Sequence, residues 1–140
     1  KEDAVAISLK FANQAVGSFL LSDRTPSPWT WEMALGESVK FPKTGMNAIR
    51  FLGTEGALEF PNLVLWRHAE GNGNWHHKIR PEVIDAPFID AYVAQCAHLR
   101  AVTRGLETPI IDALNGSRSL DATLAAARAA TSGTRIKLSM

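Results

Sequence analysis

The hydrophobic period of this chain changes once along its length. Up to Ile79 apolar residues recur at every second position, in short runs separated by turn residues. From Phe88 onward they recur at every third or fourth. A period of two turns alternate side chains to one face of a strand, and a period near 3.6 gathers them on one stripe of a helix. Strands first and helices afterwards specify an α+β domain.

The strand region opens with Val5, Ile7, Leu9 and Phe11 alternating with Ala4, Ala6, Ser8 and Lys10. Asn13-Gln14 interrupts, and Ala15, Gly17, Phe19 and Leu21 then alternate with Val16, Ser18 and Leu20, which makes a hairpin. Ser22 to Pro28 is a loop, because its two prolines disfavour helix and cannot donate to a ladder. Trp29, Trp31, Met33 and Leu35 then predict a strand with these four side chains on one face and Glu32 on the other. Gly36 to Gly45 is a second loop. Further strands are expected over 47–52, 57–60, 63–66 and 75–79, joined by turns at Gly53-Thr-Glu-Gly56, Pro61-Asn62 and Gly71-Asn-Gly-Asn74. Strands this short and closely spaced describe an antiparallel meander.

Asp85-Ala-Pro87 predicts a helix start, with Phe88, Tyr92, Cys96, Leu99 and Val102 as its apolar stripe and Arg104-Gly105 as its stop. Asn115-Gly-Ser117 predicts a second start, with Leu120, Leu124 and Ala127 on one face and Gly133 as the stop. Residues 133–138 read as a short closing strand. Two helices can cover only one face of a sheet. Several strands are apolar on both sides, Ile49 and Phe51 against Ala48 and Leu52 for example, so the uncovered face is expected to mediate self-association.

At 140 residues the chain is sized for a single domain, 1–140, able to bury roughly two-thirds of its unfolded surface. A formal charge of +1 supplies neither a basic stripe for nucleic acid nor a polybasic patch for a membrane. One cysteine rules out an internal disulfide framework and suits a reducing, cytoplasmic location. The first strand has no run-in, which leads us to expect the rear part of a longer polypeptide.

In this order the chain resembles the C-terminal domain of the glucose-fructose oxidoreductase/inositol dehydrogenase (Gfo/Idh/MocA) family. The resemblance rests on Leu9-Lys-Phe-Ala-Asn13 with Ala15-Val-Gly-Ser-Phe19, on Phe51-Leu-Gly-Thr-Glu-Gly-Ala57, and on Phe88-Ile-Asp-Ala-Tyr92. It continues through Asn115-Gly-Ser-Arg-Ser-Leu120 to Thr131-Ser-Gly-Thr-Arg-Ile136, and so spans nearly the whole chain. The resemblance implies an open, mostly antiparallel sheet with two helices on one face. It further implies one wall of a sugar or polyol pocket and a homo-oligomer, dimer or tetramer, joined through the open face. The same resemblance implies NAD or NADP held by an N-terminal Rossmann domain that this chain does not contain. The family's Glu-Lys-Pro and Asp-x-x-x-His motifs and the Gly-rich dinucleotide fingerprint are absent. No catalytic or cofactor-binding residue is therefore expected, and the chain alone should not transfer hydride. A non-catalytic dimerisation or scaffold module, or a small-ligand-binding module, is the alternative.

Four residues are candidates for substrate contact. Tyr92 is the only tyrosine; the resemblance places an aromatic residue near the start of this helix against the polyol, while its stripe position fits a core residue equally. Trp29 and Trp31 offer indole faces for a sugar ring, or else pack in the core or an interface. Asn47 offers a donor and an acceptor to a hydroxyl-rich ligand. His68, His76 and His77 invite a metal reading, but adjacent strand residues point to opposite faces, so none is taken as a ligand. Cys96 reads as a buried small hydrophobe, and Ser22-Asp23 and Ser117 build no triad, Ser117 being better explained as part of a helix start.

Overall fold

The computed structural model describes residues 3–69 and 73–138. The described residues form an α+β fold with a two-stranded and a four-stranded antiparallel sheet and three helices. Residues Thr25–Asp90 form one compact unit, and the stretches before and after them form another.

In the flanking unit, β1 (Ala4–Lys10) and β2 (Val16–Ser22) pair from Ala4↔Ser22 to Lys10↔Val16. This is the expected hairpin. Gln14 takes φ 71° at its tip, where the Phe11 N–H donates to the Ala15 carbonyl at 2.9 Å. Val5, Ile7 and Leu9 are half-buried, and the residues alternating with them are exposed. The mouth is closed by Asp3, whose carbonyl accepts from the Ser22 hydroxyl at 3.0 Å and whose carboxylate pairs with Arg24 at 2.8 Å.

The same unit holds α2 (Ala91–Thr103) and α3 (Ala113–Ser132). Helix α2 starts at Ala91, later than Asp85-Ala-Pro87 suggested, so Phe88 lies outside its stripe. It stops as expected: Gly105 is left-handed, its N–H donates to Val102 at 2.9 Å, and the Leu106 N–H donates to Ala101 at 3.0 Å. Helix α3 starts earlier than Asn115-Gly-Ser117. Asp112 is its cap, accepting the Asn115 N–H at 2.7 Å, so Ser117 lies inside the helix. Gly133 ends it, donating to the Ala129 carbonyl at 2.9 Å. The expected closing strand does not form over 134–138.

In the other unit, Trp29–Leu35 is not a strand. Helix α1 (Trp31–Leu35) replaces it, with Thr30 extended before it and left-handed Gly36 after it. A five-residue window cannot separate the two periods: Trp31, Ala34 and Leu35 also satisfy helical spacing, and Trp-Glu-Met-Ala-Leu carries four good helix formers after the tryptophan. Trp29 and Trp31 therefore do not share a strand face.

Strands β3 (Ile49–Leu52), β4 (Ala57–Phe60), β5 (Val64–His68) and β6 (Ile79–Val83) form the antiparallel meander in that order. β6 corrects the expected strand over 75–79. Asn74 accepts the His76 N–H on its side chain at 2.9 Å and the His77 N–H on its carbonyl at 2.9 Å, bending Trp75–His77 into a turn. Gly71 and Asn72 of the expected turn lie outside the described residues. Pro81 sits within β6, opposite Trp66. The flanking bonds from Ile84 N–H to Leu63 and from Ala69 N–H to Lys78 make 65/82 and 67/80 the mutually bonded pairs. Pro81 thus falls at a non-bonded position, where its nitrogen faces the outer edge and no ladder bond is lost.

Ala34 and Ala125 alone are buried among the described residues. Tyr92, Cys96 and Leu99 on the α2 stripe are exposed, which overturns the reading of Cys96 as a buried hydrophobe. On the four-stranded sheet the register puts Ile49, Phe51, Leu58, Phe60 and Leu65 on one face. It puts Leu52, Ala57, Val64, Trp66, Ile79 and Val83 on the other. Both faces are apolar, as the sequence suggested.

Candidate functional site

Three of the four candidate residues, Trp29, Trp31 and Asn47, belong to the unit that carries the meander; Tyr92 belongs to the flanking one. Local clips fix the first three. The Thr44 hydroxyl donates to the Pro28 carbonyl at 2.8 Å, and the Thr44 N–H donates to the Met33 carbonyl at 2.9 Å. The 36–45 loop is thereby tied to the segment before α1 and to the middle of α1. Gly36 is required at the base of this loop: at φ 69° a Cβ would also stand 2.6 Å from Lys43 Cδ. Trp31 lies across Phe60 with ring centroids 5.4 Å apart and planes 27° apart, so α1 rests on the first sheet face.

Asn47 is held from two sides. Its amide donates to Glu59 Oε2 at 3.1 Å, and its Oδ1 accepts the Asn62 N–H at 3.2 Å. The Asn62 amide in turn donates to the Gly45 carbonyl at 2.7 Å. Arg50, opposite Glu59 in register, donates to Glu59 Oε1 at 3.4 Å. Glu59, Asn62 and Arg50 thus share the polar network around Asn47, and sequence reasoning missed all three. The Arg50/Glu59 pair becomes visible only once the register is known; Asn62 could have been found from its place after Pro61 at a tight turn.

Chemically the Asn47 network combines a carboxylate and two carboxamides, a set suited to hydroxyl groups, and Trp29 of the same unit is an indole 60% exposed. Both Glu59 oxygens accept hydrogen bonds, one from Asn47 and one from Arg50, and so order these two side chains. Tyr92 stands in the first turn of α2, 80% exposed, and presents its ring and hydroxyl on the surface of its unit.

The histidines differ from expectation in their setting. His76 and His77 lie in the Trp75–His77 turn, so the opposite-face argument does not apply to them. His77 accepts the Asn74 N–H on Nδ1 at 3.0 Å, and its ring stands edge-on to His68 at 6.5 Å. Among the described residues no three His, Cys, Asp or Glu side chains converge on one point.

A dinucleotide pyrophosphate binds at a bare helix N-terminus reached through a Gly-rich turn. The two longer helices do not fit it. Asp90 directly precedes α2, and the Asp112 carboxylate occupies the start of α3. The donated Asn115 N–H holds the Asp112 carboxyl below the usual carboxylate range, so this helix start keeps its own negative charge. Among the described residues no helix is long and apolar enough to cross a membrane.

No family model matches the chain, and neither a curated protein nor a solved structure matches it.

Proposed function

We propose that this chain is the C-terminal substrate-binding and oligomerisation domain of an NAD(P)-dependent oxidoreductase that acts on a sugar, polyol or related hydroxy compound in the cytoplasm. The observation that carries the reading is the four-stranded antiparallel sheet with apolar side chains on both faces. Asn47 is held in a polar network on one face of this sheet, Trp31 stacks on Phe60 on the other, and Trp29 is exposed in the same unit. Apolar faces of this kind are stable when other protein covers them. The ordered resemblance to the glucose-fructose oxidoreductase/inositol dehydrogenase family supplies the identity of the cover: a Rossmann domain of the same polypeptide, and further copies of the chain.

On this reading NAD or NADP sits on the Rossmann domain and supplies the hydride chemistry. The residues of this chain have the quieter part. Trp29 offers a flat apolar surface to the ring, and Asn47, oriented by Glu59 and Asn62, offers its remaining amide hydrogen and lone pair to substrate hydroxyls. Tyr92, in the flanking unit, is a separate candidate for substrate contact. The open sheet brings a second copy into place.

The test is the full gene product, purified and assayed with NAD⁺ and NADP⁺ against cyclic polyols and aldoses, with its mass in solution measured alongside. Dinucleotide reduction, lost in steps as Tyr92 and Trp29 are changed to Ala, is the expected result. Self-association without turnover of any hydroxy compound would replace this reading with the scaffold one, which the doubly apolar sheet also suits.

A further inference from the structure

Apart from Ile79, the residues of the run His76-His77-Lys78-Ile79-Arg80 serve neither the sheet's apolar faces nor the network around Asn47. Its register is unusual: Arg80 stands directly opposite Arg67, in a mutually bonded pair where backbones lie about 5.5 Å apart. Like charges set opposite each other across a ladder are unfavourable unless something neutralises them. Glu82 pairs with Arg67 and answers half of the problem. Arg80 and Lys78 have no counter-ion among the described residues. On this same face lies Ala69, opposite Lys78, and its small side chain leaves a depression between longer ones. The result is a cavity of about 270 Å³ lined by Ala69, His76, His77, Lys78 and Arg80. Among the described residues no carboxylate lines it.

We propose that this cavity binds the phosphoryl group of a small soluble phosphate ester. A guanidinium fork and an ammonium point charge are the two side chains that hold phosphate best, and imidazoles add donors beside them. The volume matches roughly nine waters, more than a bare anion needs, and leaves room for part of an organic body. Trp75, fully exposed in the same turn, provides a ring surface beside His76 for that body. The anion stabilises what the protein alone leaves unbalanced, the Arg67/Arg80 pair. This site does not rest on the oxidoreductase reading, and its ligand would be recognised by charge rather than by hydroxyl pattern.

The test is a titration of the isotope-labelled chain with inorganic phosphate, then with glycerol phosphate, followed by backbone amide shifts. Saturable shifts centred on Ala69 and 76–80 are expected, tighter for the ester. The Lys78→Ala/Arg80→Ala double variant should weaken both about tenfold or more, with an unchanged circular dichroism spectrum. Arg24→Ala, which removes a cation already paired with Asp3, should leave binding as it was. Linear, unsaturating shifts, or equal weakening by Arg24→Ala, would reduce the site to a diffuse ion atmosphere and overturn the proposal. A third arm uses vesicles containing phosphatidic acid. Binding to those alone, without response to either soluble phosphate, would make the run a lipid-surface contact and sink the proposal equally.

Discussion

The two units of this protein are held in opposite ways. The meander unit is tied by contacts between residues far apart in sequence: Thr44 to Pro28, Asn47 to Glu59, Asn62 to Gly45 and Trp31 over Phe60. The helices of the flanking unit are bounded by signals within five residues of their ends: Gly105 and Leu106 on α2, Asp112 and Gly133 on α3. The first arrangement fixes side chains in space, as a binding corner needs. The second fixes helix length and leaves the apolar stripes facing outward, as a surface awaiting a partner would.

The contrast predicts that single changes propagate through the meander and remain local in the helices. The largest effect is expected at Gly56, where an added Cβ would stand 2.6 Å from the backbone carbonyl of Trp66. Because that obstacle is main chain, Gly56→Ala should destabilise the meander by about 1–3 kcal/mol in denaturant melts. An unchanged midpoint would show that β5 is not held where we place it. Next is Asn47→Ala, which removes one bond to Glu59 and one to Asn62 and should cost about 1–2 kcal/mol. If its cost falls to that of an ordinary surface change, the polar corner is not a structural unit.

Between the two helices of the flanking unit, His98 makes a side-chain tie. Its Nδ1 lies 2.6 Å from Glu107, and its Nε2 accepts the Ile110 N–H at 3.2 Å, which sets Nδ1 as the protonated nitrogen of the neutral ring. His98→Ala should speed hydrogen exchange at Ile110 several-fold (roughly the loss of one net hydrogen bond) without shifting the meander's melt. The smallest effect is at Asp112. Its carboxyl is held below its unfolded value, chiefly by the Asn115 N–H, so its contribution is complete above the unfolded pKa. That contribution is lost as pH falls through the folded one. Acid should therefore fray the first turn of α3 in the native chain, whereas Asp112→Asn, which keeps a capping oxygen without the charge, should fray no further on acidification.

These same differences explain what could be read in advance. The β1/β2 hairpin, strand β4 and the stops at Gly105 and Gly133 were legible because each is set by neighbours in sequence. The α1 helix was not: Trp31, Met33 and Leu35 satisfy a period of two as well as the helical one, and the packing of Trp31 on Phe60 and the burial of Ala34 accompany the helical choice. Strand β6 was concealed by its proline, which argues against a strand until the sheet order shows it to be an edge. Asn47 was named from its chemistry, but its partners Glu59 and Asn62 are brought to it by register and a turn. Sequence spacing carries neither.

Pro81 has one more consequence. Its nitrogen faces outward from β6, so that margin of the sheet lacks a donor where an added strand would need one, while β3 at the opposite margin contains no proline. The sheet is in this sense directional, open to extension at β3 and blunted at β6. Two copies meeting β3 to β3 would present only their proline margins outward, and edge-to-edge growth would end at the pair instead of running on into a fibre.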